Sequence, residues 1–251
     1  MDPLDFIYIP SKGRPDAPTA KLLCEHGLPF KLMVEPQEHD DYAERWGAKR
    51  IAVLPDSGRG LAFSRNECKQ HAIARGAKWH WQLDDDVTRF AAVMSTGRKM
   101  PCGPEQAFNA LWDEIKIFEN VSIAGMRSNA WPVTPRREYN QVVFTCALIR
   151  NDLRLHWRPD CLEDVDYTIQ SLAAGFCTYV TNRYVFGAMP QCITEGGMAA
   201  ERAASGQLRL IRGLQRKWPS LGLGVKMRNG MPRVAAGHLW RKFGNVVPRV
   251  K

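Results

Sequence analysis

The feature that most constrains this chain is an alternation that fills its first 86 residues. Short apolar runs at 5–9 (DFIYI), 30–34 (FKLMV), 50–54 and 78–83 alternate with helix-patterned stretches at 17–26, 39–46 and 61–75. Each apolar run stops at a turn: Pro10-Ser11-Lys12-Gly13-Arg14-Pro15, then Glu35-Pro36, then the Gly-rich Pro55 to Gly60, then Asp84-Asp85-Asp86. Strands that alternate with helices pair in parallel, and the helices cover both faces of the sheet. Parallel strands end at one edge, and open α/β sheets bind ligands there. Topology alone therefore gathers four unlike turns at one place.

The second half is less regular. A helix is expected near 105–119, strands at 121–125, 141–149 (QVVFTCALI) and 177–181, and helices at 164–174 and 198–218. Residues 127–139 read as an irregular loop, and the tail after Gly222 as basic and Gly-rich. The fold class is α/β: a mostly parallel sheet flanked by helices, in one domain over 1–251. A length of 251 residues suits one such domain.

Seven scattered cysteines form no C-x-x-C pair and are odd in number, which reads as free thiols in a reducing compartment. No run approaches the ~18 to 20 apolar residues of a membrane helix, and the acidic start Met1-Asp2-Pro3 is not a signal peptide. The expectation is a cytoplasmic protein with no membrane partner. A net charge of +9 attracts polyanions: diphosphate sugars, nucleic acid or anionic lipid.

Three clusters carry chemistry. Asp84, Asp85 and Asp86 repel one another, and a divalent cation would relieve that. Alternation puts Asp84 and Asp86 on one side, and carboxylate oxygens suit Mg²⁺ or Mn²⁺. The competing reading is a solvated acidic turn. Arg65-Asn66 begins a helix after Gly58-Arg59-Gly60, where a diphosphate would be held; the bland alternative is a surface arginine with a capping asparagine. Glu163, Asp164 and Asp166 open a helix, as caps or as a general base at the cleft rim.

The order of these motifs, from Ile9-Pro10-Ser11-Lys12-Gly13-Arg14 through Ser64-Arg65-Asn66 and Leu83-Asp84-Asp85-Asp86 to Leu162-Glu163-Asp164-Val165-Asp166, resembles GT-A glycosyltransferases of the family 2 type. The opening and the compact basic chain resemble the phage TET-associated glycosyltransferases, which act on hydroxymethylated pyrimidines in DNA. The resemblance implies a nucleotide-sugar donor, a UDP-sugar first among them, and a Mn²⁺ or Mg²⁺ cofactor. It places Pro10, Ser11, Arg14, Glu35, Arg65, Asp84 and Asp85 at the donor, Asp86 and Asp84 at the metal, and Asp164 as the base of an inverting transfer, with Glu163 and Asp166 in reserve. It also implies a donor half at about 1–100, an acceptor half at about 101–251 and, for a phage-encoded member, a monomer in the host cytoplasm. The family 2 Gln-x-x-Arg-Trp segment is missing, so His238 and Lys242 stand as candidates for a third metal ligand and a phosphate contact.

Arg127, Arg136 and Arg137, with Trp131 and Tyr139 between and beside them, form the candidate nucleic-acid surface, and the tail adds Arg228, Arg233, Arg241, Lys242, Arg249 and Lys251. Rival readings fit less of the chain. A nucleotidyltransferase needs a glycine-richer loop than Ser11 to Arg14. A two-metal nuclease leaves Arg65-Asn66 unexplained. A non-catalytic nucleic-acid module leaves the carboxylates unexplained. A saccharide, lipid or protein acceptor stays open beside DNA.

Overall fold

The computed structural model describes residues 2–130, 136–189, 204–235 and 242–251. Its centre is one ten-stranded sheet. The first half supplies β1 (Ile7–Pro10), β2 (Lys31–Val34), β3 (Ile51–Val53) and β4 (Trp79–Leu83), interleaved with α1 (Pro18–Glu25), α2 (His39–Trp46) and α3 (Leu61–Ala74). β3, β2, β1 and β4 are neighbours in that order and all parallel, in registers such as Ile9↔Leu32 and Tyr8↔Gln82.

The alternation of side chains builds two cores. Ile7 and Ile9 of β1, with Trp81 and Leu83 of β4, face α1, α2 and α4 (Pro104–Ile115), whose Phe108 stacks on Trp81 at 4.2 Å between ring centres. Phe6 and Tyr8 face Cys68 and Ala72 of α3 on the other side. Strands covered on both faces are apolar throughout, which is why β1 reads as a continuous run.

Beyond β4 the sheet continues with β9 (Cys146–Arg150), β7 (Val121–Ser128), β10 (Cys177–Ala188), β5 (Val87–Val93) and β6 (Lys99–Cys102), while β8 (Arg137–Tyr139) pairs with β10. β9, β5 and β8 run against the others. The sheet is thus parallel at its first edge and mixed farther on, with most strands pointing one way. The β5–β6 hairpin, turning through Gly97 at positive φ, was not expected from the sequence. The run 141–149 becomes strand only from Cys146: Asn140 and Thr145 sit at positive φ, and Val143 packs against Gly125, where any Cβ would collide with it.

The helix α5 (Glu163–Ala173) packs on β10, and α6 (Ala204–Lys217) packs on a separate hairpin, β11 (Gly224–Arg228) and β12 (Met231–Ala235). The hairpin corrects the reading of a patternless tail. Its turn is Asn229-Gly230, both at positive φ, the backbone that a two-residue turn of this hand requires. The six described cysteines are free thiols, as expected. Among the described residues, no helix is long and apolar enough to cross a membrane.

Candidate functional site

The turn after β4 is held by the first turn of α1. Thr19 N–H donates to the Asp85 carbonyl (3.2 Å), while Thr19 Oγ1 donates to the Asp84 carbonyl (2.6 Å) and accepts from Val87 N (2.8 Å). From this fixed backbone the carboxylates of Asp84 and Asp85 part company.

Asp85 reaches the end of β1. Its Oδ2 accepts from Ser11 Oγ and its Oδ1 from Arg14 Nη1, each at 2.8 Å. The Tyr42 hydroxyl of α2 bonds Ser11 Oγ at 2.8 Å and accepts the Arg14 N–H at 2.9 Å. Burial pushes this phenol up to about 12, so it stays a neutral donor. Burial also raises the Asp85 carboxyl, against the pull of Ser11 and Arg14. Ser11, Arg14 and Asp85 therefore lock one another. Tyr42 is a site residue that sequence reasoning missed; its only signal was an aromatic on a short acidic helix.

Glu35, at the end of β2, is 6% exposed. Its Oε1 accepts from Lys12 Nζ (2.9 Å) and Gly58 N (2.8 Å), and its Oε2 from Gln37 Nε2 (2.7 Å). Burial opposes its charge, but these donors outweigh it and keep the carboxyl below the usual range. Glu35 thus ties together the ends of β1 and β2 and the Gly-rich loop before α3. Lys12, half-exposed beside it, is a second cation at this edge.

Asp84 turns toward α3. Its Oδ1 accepts from Arg65 Nη2 at 3.1 Å, and Arg65 Nη1 donates to Asp164 Oδ1 at 2.6 Å. One guanidinium, 5% exposed, therefore spans the end of β4 and the start of α5. Burial works against its charge, and Asp164, Asp84 and Glu163 together outweigh that. Asp164 is itself pushed up by burial and by the like charges of Glu163 and Asp84, against the pull of Arg65. Among the described residues Asp84 Oδ2 and Asp164 Oδ2 make no hydrogen bond, so each keeps an acceptor oxygen available. The cap position of α5 is Leu162, with no side-chain cap bond, so Asp164 is not a helix cap.

How Asp164 gets there is visible along α3. Residues 151–162 start beside Lys78, at the amino end of β4, and return along the helix to the carboxyl edge. Lys69 Nζ donates to the carbonyls of Leu153 (2.8 Å) and Leu155 (2.7 Å). Asn66 and the Trp157 main chain exchange two bonds, at 2.8 and 2.9 Å. Arg65 takes Asp164. The Arg65-Asn66 pair is thus neither a surface arginine nor a cap: it joins the two halves of the chain.

Asp166 is not brought to this cluster. It is fully buried and accepts from Arg158, Gln170 and the Trp218 indole N–H (2.7 Å). Two positions along a helix turn a side chain well away, and here that separates Asp166 from Asp164. Asp86 shares the turn with Asp84, and its carbonyl accepts from Met189 N (2.9 Å). Among the described residues, no three His, Cys, Asp or Glu side chains form a group that could hold a metal by themselves. His238 and Trp131 lie outside the described residues.

The arginines expected at a nucleic acid are largely engaged. Arg127 and Arg136 both pair with Glu138, and Glu114 lies 3.1 Å from Arg183 and 4.0 Å from Arg137. Arg127 is the most committed, with its guanidinium bonded through Nε and Nη2. Tyr139 is partly exposed and packs edge-on against Tyr179.

Comparisons with known proteins identify one family. The profile of the family described as TET-Associated Glycosyltransferase matches residues 6–197. No curated protein matches the chain. Among solved structures, A197 from STIV is 13% identical over 74% of this chain and 85% of its own, at a TM-score of 0.43. A protein assigned to the nucleotide-diphospho-sugar transferases, from Desulfovibrio desulfuricans G20, is 9% identical over 85% of this chain and 94% of its own, at a TM-score of 0.45.

Proposed function

The chain belongs to the TET-associated glycosyltransferase family, and on that premise we propose that it moves a sugar from a nucleotide-diphosphate donor, a UDP-sugar, to the hydroxyl of a 5-hydroxymethylpyrimidine in DNA, with a bound divalent ion and inversion at the anomeric carbon. The observation that carries this reading is the Arg65 guanidinium, which holds a strand-end carboxylate and a helix-start carboxylate in one cluster.

In this reading Asp164 is the base. Its free Oδ2 takes the proton from the acceptor hydroxyl as that oxygen bonds the anomeric carbon, and the bond from that carbon to the diphosphate oxygen breaks. A raised carboxyl makes a better proton acceptor than an ordinary aspartate. Glu163 lies beside it as the alternative. Asp166, with its oxygens bonded internally, is not used.

Pro10, Ser11, Arg14, Glu35 and Asp85 form the wall for the nucleoside: Ser11 and Arg14 are bonded to Asp85, and Glu35 to Lys12, Gly58 and Gln37, so they supply shape more than free hydrogen bonds. Asp84 and Asp86 would hold Mn²⁺ or Mg²⁺. The fit rests on hard carboxylate oxygens and on the available Oδ2 of Asp84, since such ions take one or two carboxylates and fill the remaining positions with water and substrate phosphate. When bound, the ion would neutralise charge on the leaving nucleotide.

The test is mass spectrometry of nucleosides from 5-hydroxymethylcytosine DNA incubated with the protein and a panel of nucleotide sugars. The expected result is a hexose- or pentose-sized gain on the modified base, lost with chelator and lost in Asp86→Ala. Transfer to free oligosaccharide, lipid or protein with none to DNA would replace the acceptor. Full activity of Asp86→Ala in chelator would remove the metal.

A further inference from the structure

The positive charge of this chain is segregated. All 26 acidic residues and 23 of the 35 basic ones lie within the first 201 residues, a net of −3. The remaining 50 residues carry 12 basic side chains and no acidic one. The family match ends at residue 197, before this stretch begins. The charge that makes the whole protein basic therefore lies outside the part that resembles its family.

The structure arranges two parts of this stretch into cationic rows. On α6, Leu210, Ile211 and Leu214 are buried, while Arg209, Arg212 and Arg216 are exposed. Their spacing of three and four residues sets these arginines on one helix face. On the β11–β12 hairpin, Lys226 pairs with Arg233 and Arg228 with Met231. Alternation along a strand places Lys226, Arg228 and Arg233 on one face and Val225, Met227, Pro232 and Val234 on the other. Val234 joins the core formed with α6, and the three cations are exposed. None of the six forms an ion pair among the described residues, whereas Arg127 and Arg136 are matched by Glu138.

This unit is seated against α5 and the residues just before it. Gly213 of α6 lies so close to the Asp160 carbonyl that an added Cβ would stand 1.7 Å from its oxygen. Trp218, just past α6, donates to Asp166 of α5, the helix that begins with Glu163-Asp164.

We infer that α6 and the β11–β12 hairpin form a docking surface for the phosphate backbone of duplex DNA. Rows of cations on a helix and ribbon, without an ion pair among the described residues and without an interspersed carboxylate, match a polymer that repeats its negative charge along both strands. The inference rests on the DNA-acceptor reading above and adds where the polymer is gripped.

The experiment measures binding of an unmodified DNA duplex by anisotropy over a range of salt, for the full chain and two triple variants, R209Q/R212Q/R216Q and K226Q/R228Q/R233Q. Each triple should flatten the log–log salt slope by about 2 to 3, at about 0.9 per phosphate contact. Hydrolysis of nucleotide sugar without acceptor should be unchanged, which certifies the fold. Wild-type slopes in both triples would overturn the docking surface, as would binding to anionic phosphatidylserine vesicles with none to DNA. The acceptor reading is read separately. Sugar on hydroxymethylated DNA with unchanged slopes keeps the acceptor and rejects the docking surface. Flattened slopes with no sugar on DNA keep the docking surface and reject the acceptor.

Discussion

Asp164 and Arg65 show how one pair of side chains sets the chemistry. Replacing Asp164 with Asn keeps size and removes the proton acceptor, and loss of a general base costs ~10² to 10⁴ in rate. Turnover should fall by that factor while donor affinity, measured by calorimetry, stays near wild type; unchanged turnover would move the role to Glu163. The acid limb of kcat/KM should lie above the ordinary aspartate range, because burial raises this carboxyl. Arg65→Met leaves two neighbouring carboxylates without their shared cation. Breaking such a buried pair costs roughly 3 kcal/mol, visible in urea denaturation. Arg65→Lys should recover part of the stability and little of the activity, since an ammonium is a point charge without the planar fork that sets both carboxylates at fixed positions.

At the level of elements, the first four strands and three helices were legible because apolar runs and turn residues alternate at lengths that leave little choice. The meeting of the strand ends at one edge was legible for the same reason. Asp84, Arg65 and Asp164 were marked as candidates, but their contact was not, since it depends on residues 151–162 lying along α3. The commitments of Glu35 and Asp85 to internal donors were equally hidden: sequence shows a polar residue at a strand end, not what fills its lone pairs. The β11–β12 hairpin was readable in Asn229-Gly230 and was passed over because the strands beside it are cationic, not apolar. Gly213 offered no sequence signal, and its role is steric. Gly213→Ala should push α6 off Asp160, and forcing a methyl into such a gap costs about 1–3 kcal/mol. A thermal melt several degrees below wild type is expected, and an unchanged melt would mean that α6 sits farther from Asp160.

For the molecule as a whole, the interior sets a limit in acid. His80 is fully buried, with Nδ1 beside Asn151 Oδ1 (2.6 Å) and Nε2 beside Gln82 Nε2 (2.8 Å). Gln82 presents an amide donor to Nε2, so the ring is satisfied only when neutral. Burial, chiefly, pushes its pKa down to about 3. Between that value and the unfolded one of about 6.5, the unfolded chain binds a proton that the folded chain refuses, so stability falls as pH drops through this window. From pH 7 to pH 5 the loss from this one ring is about 2 kcal/mol. Urea titrations at the two pH values should show it, and His80→Gln should show a correspondingly smaller difference; equal differences would remove His80 as the cause. The Arg65 clamp carries a consequence of another kind, one of timing. Its two partners enter the chain far apart, and Asp164 lies 99 positions beyond Arg65. Synthesis proceeds from the amino end, and early segments can begin to fold before later ones exist. A nascent chain therefore contains the strand ends proposed to hold the nucleotide well before it has the carboxylate proposed to use it.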